Sequence, residues 1–164
     1  MEFSNRVSQK LHDEHVATVA LMERLERLAM RRSPPDMADS ATTRLLSDLA
    51  SEFEGEVWRH FDFEEEELFP YLGAAGDAAI GEHLTEEHKI IRPLGVRIIE
   101  LSRGAKTQGF DDATWSEFRK IAQELTERLL SHVQKEEMAL VPMLEDAMDA
   151  ETEARLYESY VMNG

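Results

Sequence analysis

The stretch His60-Phe61-Asp62-Phe63-Glu64-Glu65-Glu66-Glu67-Leu68-Phe69-Pro70-Tyr71-Leu72 returns later in the chain as His132-Val133-Gln134-Lys135-Glu136-Glu137-Met138-Ala139-Leu140-Val141-Pro142-Met143-Leu144. Both copies read His-x-x-x-Glu-Glu-x-x-Leu-x-Pro-x-Leu, and each follows a Glu-His pair, Glu14-His15 before the first and Glu87-His88 before the second. His15 lies 45 residues before His60 and His88 lies 44 before His132, so the two halves look like copies of one helix pair. Core packing needs no titratable groups. A repeat that keeps imidazoles and carboxylates together with its apolar frame therefore points to a metal site shared by the two halves.

The apolar spacing around the repeat is helical. From about Asn5 to Arg32, Val7, Leu11, Val16, Val19, Leu21, Leu25 and Leu28 recur at mixed spacings, mostly of three and four, and Ser33-Pro34-Pro35-Asp36 ends the run. A second helix is expected from Asp39 or Ser40 through Leu45, Leu49, Phe53, Val57, Phe61 and Leu68, stopped by Pro70 and the Gly73–Gly76 loop. A third runs from Asp77 or Glu82 to Arg103, with Pro93 expected to kink it. After a loop at Gly104–Gly109, Asp111 or Asp112 caps a fourth helix carrying Trp115, Phe118, Leu125, Leu129, Val133 and Leu140, broken or bent at Pro142. A short acidic helix from Asp149 to about Tyr160 is expected to lie across the bundle or to support a homodimer contact. The fold class is thus all-α, an antiparallel up-down four-helix bundle with a short C-terminal helix.

Composition narrows the function. At 164 residues the chain suits a single domain spanning 1–164, and 42% apolar with 32% charged residues suits a helical one. No apolar run approaches the ~20 residues that span a bilayer, and the N-terminus lacks a signal pattern, so no membrane partner and a cytoplasmic location are expected. There is no cysteine, which excludes disulfides, thiolate catalysis and iron-sulfur ligation by this chain. A formal charge of −16 repels phosphate backbones, so nucleic acid is not an expected partner.

Positions four apart share a helix face, so His60 with Glu64 and His132 with Glu136 each form a clip aimed at one point. His15 and His88 add single imidazoles from the other two walls. Four imidazoles and two carboxylates exceed what a tetrahedral zinc site with an open position needs, but suit two ions that share bridging carboxylates and an oxo or hydroxo group. Nitrogen and oxygen donors with open positions favour two iron ions, with manganese or zinc as substitutes.

These residues resemble the hemerythrin-like His-His-Glu cation-binding family, over roughly Leu11 to Leu144. The resemblance implies a di-iron centre with ligands His15, His60, Glu64, His88, His132 and Glu136, the two glutamates bridging. It implies dioxygen, nitric oxide or peroxide as small ligands, or a role in handling iron. Oxygen-carrying hemerythrins have two histidines four apart on the third helix, whereas Leu84 stands four before His88 here. A binding or stress-response protein is expected rather than a conventional enzyme. Ferritin-like sites use Glu-x-x-His, and no glutamate stands three before any of the six histidines. The remaining alternative is a structural or interaction bundle stapled by zinc or another divalent ion.

Among the other polar residues, His12 and His83 are secondary ligand candidates. Glu65 and Glu137 sit about 100° beyond the ligands and are expected in solvent or behind the imidazoles. Glu14 and Glu87 are expected at the surface more than on an imidazole. Trp58, Phe61, Phe63, Trp115 and Phe118 are expected in the core, Tyr71 in loop packing.

Overall fold

The computed structural model describes residues 2–162, and these form five helices with no strand among the described residues. Helix α1 spans Arg6–Ala29, and the Asn5 side chain caps it by accepting from the Ser8 amide. Helix α2 runs over residues 40–74, α3 is Ala78–Gln108, α4 covers residues 112–147, and α5 is Ala150–Met162. Asp111 starts α4 with a capping box shared with Thr114. Each of the first four helices lies against its neighbour in the chain, and α4 closes the square by packing along α1. This is the antiparallel up-down bundle, with α5 folded back on α1.

Three widened π turns interrupt the long helices: Phe53–Val57 and Glu64–Leu68 in α2, and Glu136–Leu140 in α4. The last two begin at the repeated glutamates, and their closing bonds run from the Phe69 amide to the Glu64 carbonyl and from the Val141 amide to the Glu136 carbonyl. The repeated prolines follow immediately. Pro70 and Pro142 do not stop their helices as the sequence led us to expect, because each falls in the first turn of a fresh α segment, where its missing amide proton costs least. Pro93 lies inside α3 with helix assigned on both sides, and the Gly104–Gly109 segment is mostly helix rather than loop. Only Gly109, at φ 70°, leaves it.

Two apolar clusters fill the bundle. One contains Leu25, Leu49, Phe53, Ile98, Phe118 and Leu125, the other Leu11, Leu68, Leu72, Leu84, Leu144 and Leu156. Along each of the four long helices the chain passes from one cluster to the other through a polar position: His15, His60 with Glu64, His88, and His132 with Glu136. Trp58, expected in the core, is only half-buried against it, with its ring lying over Gly95. No helix among the described residues is long and apolar enough to cross a membrane.

Candidate metal centre

The polar layer is buried. Glu64, Glu136 and His88 are each 0% exposed, and His15, His60 and His132 are also buried. A four-residue step in a regular helix aims His60 and Glu64 at one another, and the same step aims His132 at Glu136. His60 Nε2 stands 3.3 Å from Glu64 Oε2, and His132 Nε2 stands 2.7 Å from Glu136 Oε1. Each carboxylate also reaches a second imidazole. Glu64 Oε1 is 3.2 Å from His88 Nε2, and Glu136 Oε2 is 2.7 Å from His15 Nε2.

The six side chains gather into two overlapping groups whose donor atoms lie within 4.8 Å of one another, Glu64 with His88, His132 and Glu136, and His15 with His60 and Glu136. Glu136 belongs to both. His60 Nε2 is 3.4 Å from Glu136 Oε2, and the paired imidazoles sit with ring centroids 5.0 Å apart for His15 and His60 and 4.8 Å apart for His88 and His132.

Four more glutamates orient these rings from outside. His15 Nδ1 donates to Glu137 at 2.8 Å, His60 Nδ1 to Glu14 at 2.9 Å, His88 Nδ1 to Glu65 at 2.7 Å and His132 Nδ1 to Glu87 at 2.8 Å. The pattern is cyclic: a glutamate on each helix holds the imidazole of the next, α1 to α2, α2 to α3, α3 to α4 and α4 back to α1. A surface role was expected for Glu14 and Glu87. The structure puts both on imidazoles instead, because adjacent residues face apart on their own helix and so face different neighbours across the bundle. Phe61 stacks flat on His88 at 3.8 Å and fixes that ring further.

The tautomers follow. A carboxylate only accepts, so each Nδ1 carries the proton and each Nε2 turns a lone pair to the centre. There the lone pairs meet carboxylate oxygens. Glu64 Oε1 and Oε2 and Glu136 Oε1 are buried without a hydrogen-bond partner, although imidazole nitrogens stand within ion-pair range of them. Acceptor facing acceptor in a dry interior costs several kcal/mol unless a proton or a metal cation intervenes. Six carboxylates surround the centre, while among the described residues only Arg92 and Lys135 supply hydrogen bonds to them from a lysine or arginine, on Glu65 and Glu87. The donor set fits metal cations.

Without metal, protons take that place. Burial pulls the His15 imidazole down, but the charge of Glu136 outweighs it and pushes the group up to about 9. His60 and His132 are raised against burial by Glu64 and Glu136 respectively. Burial would lift Glu136, yet its histidines hold it well below the ordinary carboxylate range. Burial would likewise raise Glu14, Glu65 and Glu87, but hydrogen bonds from imidazole, arginine, lysine or phenol outweigh it and hold all three below the ordinary carboxylate value. For Glu137 the bond from His15 is the leading cause.

His12 and His83 stand outside this centre. His12 Nδ1 bonds the outer face of Glu137 at 2.9 Å, and His83 is exposed beside Lys135 and Glu87. Leu84 is fully buried in the apolar cluster, so α3 offers the centre one imidazole. Tyr71 donates to the Ala147 carbonyl, joining the ends of α2 and α4. A cavity of about 320 Å³ opens between α1 and α2 past Lys10, Asp13, Glu52 and Glu56 and reaches His15, His60 and Glu136.

An all-helical bundle with a buried histidine-glutamate cage is a cation-binding fold. The chain belongs to the hemerythrin family: the hemerythrin HHE cation binding domain matches residues 6–144, which contain the whole cage. The curated proteins contain no match to the chain.

Proposed function

We propose that the chain holds two iron ions between His15, His60, Glu64, His88, His132 and Glu136, within one domain, and uses them to bind or respond to dioxygen, nitric oxide or peroxide, or to handle iron. One observation carries the reading: the carboxylates of Glu64 and Glu136 are buried, three of their four oxygens lack a hydrogen-bond partner, and each carboxylate lies between imidazoles of different helices. Glu64 would bridge the ion on His60 to that on His88, and Glu136 the ion on His15 to that on His132. Bound iron would supply electrons and open positions for a small ligand.

The chain's own residues do the rest. The outer glutamates hold a proton on every Nδ1 and so aim every Nε2 inward. The two apolar clusters exclude water above and below the polar layer. The cavity between α1 and α2 is wide enough for a diatomic or peroxide and meets the centre on its His15 and His60 side.

Metal analysis of protein expressed with iron supplementation, followed by absorption spectra before and after air exposure, tests this. Two iron ions per chain and near-ultraviolet bands that develop on oxidation are expected. A colourless protein containing only zinc would overturn the iron reading in favour of a stapled bundle.

A further inference from the structure

We infer that Tyr160, beyond the family match that ends at Leu144, is a positioning residue for the cage: it fixes Glu14, and through Glu14 the imidazole of His60, so that helix α5 sets metal affinity on the His15 and His60 side. The inference rests on the dinuclear reading above.

The Tyr160 hydroxyl is 2.6 Å from Glu14 Oε1 and 2.8 Å from Glu14 Oε2, and Oε1 is the atom that accepts from His60 Nδ1. A continuous path of hydrogen bonds thus runs from α5 through α1 to an imidazole of α2. The hydroxyl has little freedom. Its ring is buried, stacks on Phe63 at 4.2 Å and lies under the Arg59 guanidinium at 4.5 Å. Helix α5 is itself anchored by Leu156 in the apolar cluster and by Glu153 on Arg6.

The other three outer glutamates are held from within the bundle. Glu65 takes Arg92, Glu87 takes Lys135, and Glu137 takes His12. Glu14 takes its second donor from α5. The cations nearest to it, Arg59 at 3.8 Å and Lys10 at 4.0 Å, stand beyond hydrogen-bond range. Without the phenol the Glu14 carboxylate keeps only its bond to His60, and the two cations compete for the oxygen that the phenol has released and turn the carboxylate away from the His60 ring. The side of the centre that loses its orientation is the side the cavity reaches.

The test is titration of the chelator-stripped full chain with cobalt(II), followed by visible absorption, in the parent and in Tyr160→Phe, which keeps the ring and its stacking. The affinity for one of the two cobalt ions is expected to fall about tenfold with the other unchanged. In a Glu14→Gln background Tyr160→Phe should cause no further loss, because both act on one path. Arg6→Ala, which loosens α5 without touching Glu14, should leave both affinities as they were. Equal losses at both ions, no loss at either, additive losses in the double variant, or the same loss from Arg6→Ala would each overturn the inference. A parent chain that takes up fewer than two cobalt ions overturns the dinuclear reading instead, and the inference falls with it.

Discussion

Glu65 accepts the Nδ1 proton of His88 at 2.7 Å across the interface between α2 and α3. Its chain neighbour Glu64 faces the other nitrogen of the same ring at 3.2 Å. One dipeptide therefore grips one imidazole from both ends, and the Glu136-Glu137 pair repeats the arrangement on His15. Paired glutamates at successive positions do this because a helix turns about 100° per residue, enough to send one carboxylate to the centre and the next around the ring.

Loss of the outer carboxylate should weaken the site without removing a ligand. Glu65→Gln is expected to lower metal affinity about 10–100-fold while the helical content is unchanged. Competition with a chromophoric chelator measures the first and circular dichroism the second. Parent-like affinity would show that Phe61 stacking alone orients His88.

Glu136 lies in both groups of donor atoms. Glu136→Ala should drop metal content below one ion per chain rather than from two to one, as read by elemental analysis of purified protein. Retention of one full ion would mean that this carboxylate serves a single metal.

His12→Ala and His83→Ala should leave metal content at the parent level, since neither ring faces the centre. His60→Ala, measured beside them, should not.

In the metal-free chain, stability should depend on pH in a definite direction. His15 is raised from an ordinary 6.5 to about 9, so its contribution is complete below about pH 6.5 and is lost as pH rises through about 9. Glu136 is lowered, so its contribution holds above its ordinary value of 4.5 and is lost on acidification. Thermal melts of stripped protein should therefore decline from pH 7 to 10. Metal replaces the protons, so the loaded protein should melt higher and lack that decline.

Gly81→Ala should destabilise the bundle. A Cβ there would stand 2.7 Å from Phe69 Cβ, an atom tied directly to the backbone. Overpacking of this kind costs about 1–3 kcal/mol, against a helix-propensity gain of about 1 kcal/mol at most. Gly95→Ala meets the tip of the half-buried Trp58 ring at 2.6 Å and the Phe53 ring at 3.1 Å, and should cost less, because these are side-chain ends rather than an atom fixed to the backbone. Urea denaturation of both variants gives the comparison.

Much of this was readable along the chain, and the parts that were not share a cause. The clips His60 with Glu64 and His132 with Glu136 are local, so their spacing states their geometry. Glu14 and Glu87 bond residues on other helices, and nothing in their own surroundings separates them from solvated glutamates. A cyclic pattern in the repeat was the available signal: Glu-His in one helix of each pair and Glu-Glu in the other place a second carboxylate beside four of the six proposed ligands, one on each helix. Pro70 and Pro142 misled for a related reason. A proline ends a helix of uniform pitch, but here a π turn that ends two residues earlier resets the hydrogen-bond register.

The sequence by itself determined that this chain makes amphipathic helices, that they pair as a duplicated unit, and which titratable side chains share a face. Periodicity settles those points because they depend only on the pitch of one helix. Which carboxylate backs which imidazole, that the cavity opens on the His15 and His60 side, and that Tyr160 from α5 reaches Glu14 were decided only when the helices met. Those contacts join residues up to 146 positions apart, and their lengths are fixed by how the helices pack rather than by any interval along the chain.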